Sequence, residues 1–131
     1  MENKAIKTKE VGFINGRDAI YLDEFKQTFN KTQNCVFKGV LNPKLVEKTC
    51  NKSHISYVCQ FEQVIYYEVH NLDLYNENIL CSSFDIVENS NLLVRLKKYS
   101  SKVTKEHKHY VFATYDYVYD IIATNYKLEI D

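Results

Sequence analysis

HKHYVFATYDYVYDIIATNYKLEID, running from His107 to Asp131, is the stretch that sets the architecture. It carries five of the eleven tyrosines, and its apolar residues alternate as in β-strands instead of recurring at helical spacing. Val118, Ile122, Tyr126, Leu128 and Ile130 share one parity, while Tyr117, Tyr119, Ile121 and Ala123 share the other. Both faces are therefore apolar. A strand covered on both sides lies inside a sheet, so this stretch is expected at the centre of the molecule. It is too long for a single strand and should fold back near Tyr115–Asp116.

Just upstream, Asn89 and Ser90 can cap a helix in which Leu92, Leu93, Leu96 and Tyr99 form an apolar stripe, with Arg95, Lys97 and Lys98 outside it. SSKVTKEHK is a polar connector. Before it, NILCSSFDIVE and VIYYEVHNL read as strands separated by a turn at NLDLYNEN. ISYVCQF puts Ile55, Tyr57, Cys59 and Phe61 on one face and Ser56, Val58 and Gln60 on the other, the pattern of a strand with one wet side. NCVFKGVL is a further strand, irregular at Gly39. Asn42 and Pro43 then supply a cap and a first-turn proline for a short helix through KLVEKTC, ending near Asn51.

From Asp18 to Asn30 the spacing of Ile20, Leu22, Phe25 and Phe29, with acids early and lysines late, predicts a helix. Ile20-Tyr21-Leu22 would serve equally as a short strand. Residues 1–10 read as a flexible polar arm. The expectation is one α+β domain: an antiparallel sheet of about five or six strands with two or three short helices.

With 131 residues, 45% of them hydrophobic and 26% charged, the chain suits a globular domain with a real core. Three glycines and one proline leave no Gly-rich phosphate cradle. The polar N-terminus and the lack of any apolar run of membrane length predict a cytoplasmic protein that does not engage a membrane. Four cysteines without a CxxC pair fit buried small hydrophobes in a reducing compartment. A Cys59–Cys81 bridge would require those two strands to pair.

Formal net charge is zero, yet the charges are sorted. No Lys or Arg lies between Ser53 and Val94, whereas Glu62, Glu68, Asp73, Glu77, Asp85 and Glu88 do. Arg95, Lys97, Lys98, Lys102, Lys105 and Lys108 follow, with only Glu106 against them. The basic run could touch nucleic acid, but a pI of 6.9 argues against that class. An acidic face carrying aromatics suits a basic protein partner. The residues expected to meet it are Glu62, Glu68, Asp73, Tyr115, Tyr117 and Tyr119, since exposed tyrosine gives large, stiff contact area. An open edge on the last strand would let a second copy pair, giving a homodimer.

Catalytic chemistry has thinner support. His109 or His70 with Glu68, Asp116 or Asp120 could act as acid and base, as in a small hydrolase or nuclease-like enzyme. No phosphate loop or nucleophile elbow accompanies them, and Ser82-Ser83 lacks the glycines of a strained serine turn. His107-x-His109 after Glu106 is the nearest approach to a metal pattern, but nothing is spaced to complete a ligand set, so neither metal nor cofactor is expected. A sheet curled around an apolar pocket, binding a small ligand, is the third class considered.

Ser82-Ser83-Phe84-Asp85, Asn89-Ser90, His109-Tyr110, Thr114-Tyr115-Asp116 and Ile121-Ile122-Ala123 resemble a pattern in small cytosolic proteins of low-GC Gram-positive bacteria. Some of these sit beside polymorphic-toxin genes and are regarded as immunity proteins. The resemblance covers roughly residues 80 to 130. It implies a toxin-neutralising, antitoxin-like binder and carries over no catalytic residue; the acidic block suggests that the toxin domain would be basic, and the lack of a complete catalytic set suggests a non-enzymatic role.

Overall fold

Outward from the tyrosine-rich stretch, the chain builds two antiparallel sheets. The structure, a computed structural model, describes residues 1–48 and 53–131. Among these, the strands are β1 (Glu2–Ala5), β2 (Ile20–Asn30), β3 (Thr32–Leu41), β4 (Ile55–Glu62), β5 (Tyr66–Asn71), β6 (Phe84–Glu88), β7 (Lys108–Ala113), β8 (Tyr117–Ala123) and β9 (Asn125–Ile130). A single α-helix, α1 (Asn91–Tyr99), separates β6 from β7. One sheet runs β1-β6-β7-β8-β5 and the other β2-β3-β4-β9. Among the described residues no helix is long and apolar enough to cross a membrane.

The molecule is therefore mostly β, where an α+β domain with two or three helices was expected. Two helices account for the difference. Asp18–Asn30 is a strand from Ile20 onward, paired along its length with β3. A bulge between Leu22 and Glu24 inserts one residue and switches the parity, so Leu22 and Phe25 both face inward although three residues apart. That spacing mimics a helical one. After Pro43, Asn42 does cap a turn, accepting from Lys44 N at 3.0 Å, but the turn is a 3-10 segment of three residues, Pro43–Leu45. Val46 then bridges to Ile14 in extended form. The end of the expected helix and Cys50 fall outside the described residues.

β7 and β8 occupy the interior of their sheet, as apolar residues on both parities require. Tyr110, Phe112, Tyr119 and Ile121 face the second sheet, and Val111, Ala113 and Val118 face outward under a cover that includes Leu72, Tyr75 and Leu80. β9 departs from the expectation. The chain crosses at Thr124, whose N–H donates to Glu62 O at 3.0 Å, and β9 becomes the edge of the second sheet beside β4. The expected polar arm is partly structured as well, since Glu2–Ala5 pair with β6.

Aromatic rings fill the seam between the sheets. Phe37 of β3 lies 4.9 Å from Phe112 and 4.8 Å from Tyr119, and Phe84 lies 5.9 Å from Phe61. Rings at such spacing add directional contact to the burial of large apolar area. Cys35 and Cys59 are buried here as free thiols, and Cys81 is free and exposed in a loop. Cys59 lies buried on β4 and Cys81 in an exposed loop before β6, so the strand pairing that a bridge would require is not formed and both thiols are free.

Candidate functional site

The acidic block does not form one surface. Alternation along β4 and β5, and the turns between β5 and β6, send its carboxylates in different directions, where each meets a group of the chain itself. Glu62 lies 3.5 Å from Lys127 and accepts from Asn125 at 3.2 Å. Asp73 and Glu77 share Arg17, at 2.9 and 3.9 Å, and Glu88 pairs with Lys4 at 3.3 Å. The hydrogen bond to Asp73 raises the Arg17 guanidinium further above its ordinary value. Asp85 is fully buried and accepts from Asn3, from the Cys81 N–H and from the Ser82 hydroxyl. Glu62 and Asp73 are thus paired with cations of the chain itself, and the described residues do not form the vacant acidic face expected over Glu62–Glu88.

The tyrosines divide. Tyr119 is buried among Phe25 and Phe37 and is a core residue. Tyr115 and Tyr117 are 40% and 44% exposed, at the turn between β7 and β8. Thr114 shapes that turn, its hydroxyl donating to Tyr117 O at 2.9 Å and accepting from Tyr117 N at 3.1 Å. The Tyr115 N–H donates to Ile20 O at 2.9 Å, which ties the turn to β2. Tyr115 consequently stacks on Tyr21, centroids 5.5 Å apart and planes 22° apart, with Arg17 over its ring at 5.4 Å.

Between these elements runs a groove of about 210 Å³, lined by Tyr21, Leu22, Asp23, Tyr115, Asp116 and Tyr117 among others. The β2 bulge delivers Asp23 to it. Gly39 lies opposite Leu22, and a Cβ there would sit 1.9 Å from Tyr21 O, so only glycine permits the close approach. No Lys, Arg or His among the described residues pairs with Asp18, Asp23 or Asp116. Desolvation raises the Tyr21 phenol above its ordinary value, and the charge of Asp18 raises it further.

A second polar cluster lies on the outer face of the five-stranded sheet, beside a cleft of about 380 Å³ lined by Glu68, Tyr75, Leu92, Arg95, His109 and Asp120 among others. Ser90, the N-cap of α1, accepts from Leu93 N at 3.1 Å and contacts His109 Nδ1 at 2.7 Å. His109 Nε2 lies 2.7 Å from Asp120 Oδ1, and Asp120 Oδ2 lies 2.9 Å from His70 Nε2. His70 Nε2 is also 3.3 Å from Glu68 Oε2, and the Tyr66 hydroxyl donates to Glu68 Oε1. Burial raises the nearby Tyr75 hydroxyl to about 12, with Asp120, Asp85 and Glu68 adding to the effect.

This geometry sorts the acid–base candidates: it brings His70 against both Glu68 and Asp120, and His109 against Asp120. His109 is buried and both its ring nitrogens are engaged, so it has no free nitrogen for a substrate proton. Asp116 lies beyond the far end of β7, and the four residue steps from His109 to Ala113 alone span about 13 Å. The pair His109–Asp116 is not formed, and Glu68 is separated from His109 by Asp120. His107 does not join His109 in a ligand set either. Its Nδ1 accepts from Thr104 N at 3.1 Å, and its buried Nε2 has no partner among the described residues.

Tyr21, Asp23 and the role of Ser90 toward His109 were not legible in the sequence. The first two were hidden by the helical spacing that the bulge creates, although Ile20-Tyr21-Leu22 carried the strand signal. No family model, no curated protein and no solved structure matches this chain.

Proposed function

We propose that this protein is a non-enzymatic binding domain acting in the cytoplasm, whose groove between Tyr21, Tyr115 and Tyr117 receives a basic side chain of a protein partner. The observation that carries this reading is the pairing of stacked, half-exposed tyrosines with carboxylates that no cation among the described residues neutralises. Arg17 already covers the Tyr115 ring, so an incoming Lys or Arg side chain meets Tyr117 and the carboxylates of Asp23 and Asp116, by cation–π contact and by charge. The ion pairs of Asp73 and Glu88 are solvent-exposed and contribute about 0–1 kcal/mol each, and neither they nor the half-buried Glu62–Lys127 pair takes part in the reading.

The resemblance to immunity proteins supplies the kind of partner, a basic toxin domain. A second copy fits less well. The open edges at β2 and β9 carry exposed Glu24, Lys26, Lys127 and Glu129, and edge charges of this sort discourage strand addition.

Calorimetric titration of the full chain against the product of its neighbouring gene, which the proposal requires to be a basic toxin domain, tests it. Tyr115→Ala and Tyr117→Ala should each weaken binding by about 30-fold, the loss typical of an aromatic hot spot of 2 kcal/mol. Asp23→Asn and Asp116→Asn should reduce the salt dependence. Full affinity in both tyrosine variants, or no binding by the wild type, would overturn it.

A further inference from the structure

The polar cluster outside the groove points to a separate site. Glu68 on β5 and Asp120 on β8 are direct cross-strand partners. Side chains so placed have Cβ atoms about 4.5–5.5 Å apart, and like charges facing one another in this way are destabilising. Asp120 is 8% exposed, so water screens that repulsion poorly. A positive centre between the two would remove it.

His70, two residues along the same face from Glu68, completes a three-ligand set. Its Nε2 lies 2.9 Å from Asp120 Oδ2 and 3.3 Å from Glu68 Oε2, and ligand atoms of all three residues fall within 4.8 Å of one another. Metal–ligand bonds of about 2.0–2.1 Å in a tetrahedron place the ligands about 3.3 Å apart. An imidazole nitrogen carries at most one hydrogen, which cannot serve two carboxylates fully.

The supporting contacts are arranged to leave these atoms available. Glu68 Oε1 is held by the Tyr66 hydroxyl and Asp120 Oδ1 by His109. The Asp120 carboxylate can only accept, which puts a hydrogen on His109 Nε2, and in the neutral ring the Ser90 hydroxyl then donates to Nδ1. Each carboxylate thus has one oxygen tied to a donor and the other turned toward His70. Ordered outer partners of this kind orient metal ligands.

We infer that Glu68, His70 and Asp120 bind a divalent first-row cation, Zn²⁺ or Mn²⁺, with the remaining coordination positions open to the cleft beneath α1. One imidazole among the ligands favours these ions over Mg²⁺ and Ca²⁺. Arg95 lines the same cleft, with its guanidinium beside the Tyr66 hydroxyl. This site is independent of the tyrosine groove.

Full-length protein stripped with a chelator and titrated with Zn²⁺, and separately with Mn²⁺, provides the test, with circular dichroism confirming that each variant is folded. The wild type should bind one equivalent of at least one ion, and His70→Ala and Glu68→Gln should each weaken that binding at least ten-fold. Tyr115→Ala should bind metal as the wild type does. No binding of either ion up to millimolar concentration would overturn the inference. Undiminished binding in His70→Ala would overturn it equally, by placing the ion elsewhere.

Discussion

Cys35, Cys59, Tyr57 and Tyr110 sit in the seam between the sheets, where an ionised thiol or phenol would lose its hydration. Burial pushes the Cys35 thiol from 9.0 to about 11 and the Tyr110 phenol from 10.0 to about 12, and it raises Cys59 and Tyr57 as well. The folded state holds these protons more tightly than the unfolded chain. Their contribution to stability is therefore complete below the unfolded values and is lost as pH climbs toward the folded ones. Stability should be level up to about pH 8.5, then fall by about 1.4 kcal/mol per pH unit for each titrating group. Urea midpoints measured from pH 7 to 11 check this, and Cys35→Ala should flatten the decline between 9.0 and about 11. A midpoint unchanged to pH 11 would show that these groups are solvated.

Strands β2 and β3 show how a single inserted residue redirects an element. The bulge lets Leu22 and Phe25 share the buried face, aims Asp23 at the groove, and brings Tyr21 O to where a Cβ on Gly39 would stand. Gly39→Ala should cost about 1–3 kcal/mol, because the clash is with backbone and no rotamer change relieves it. The same variant should weaken partner binding by displacing Tyr21, whereas the distant metal site should be unaffected. A denaturation midpoint equal to that of the wild type would mean that the bulge is not needed. Helix α1 is a simpler case. Asn89 in the left-handed region at φ 53° and Ser90 as N-cap start it where the sequence signal placed it. Its buried contact with the sheet, the bond from Ser90 to His109, joins residues 19 apart and carries no local signal.

Across the whole molecule, the two sheets are joined by one aromatic seam, and Phe112 touches both halves of it through Phe37, Phe61, Phe84 and Tyr57. Phe112→Ala should destabilise the fold by about 3–5 kcal/mol, since rings from two sheets cannot collapse into the space together. Guanidinium unfolding followed by tyrosine fluorescence measures it, and a loss below about 1 kcal/mol would mean that the seam repacks. Local information reached far into this protein. Alternation marked β4, β7 and β8, turn residues marked the loops, and Ser90 marked α1, because each depends on neighbours in the chain and on the pleat or the helical turn. Pairing between distant strands settled everything else. It broke up the acidic block, since a strand sends alternate residues to opposite faces and lets each charge find a partner far along the chain. It drew Tyr21 beside Tyr115, and it set Glu68 opposite Asp120. These juxtapositions are free energies of contact between residues remote in the chain, and they exist only once the sheets have closed.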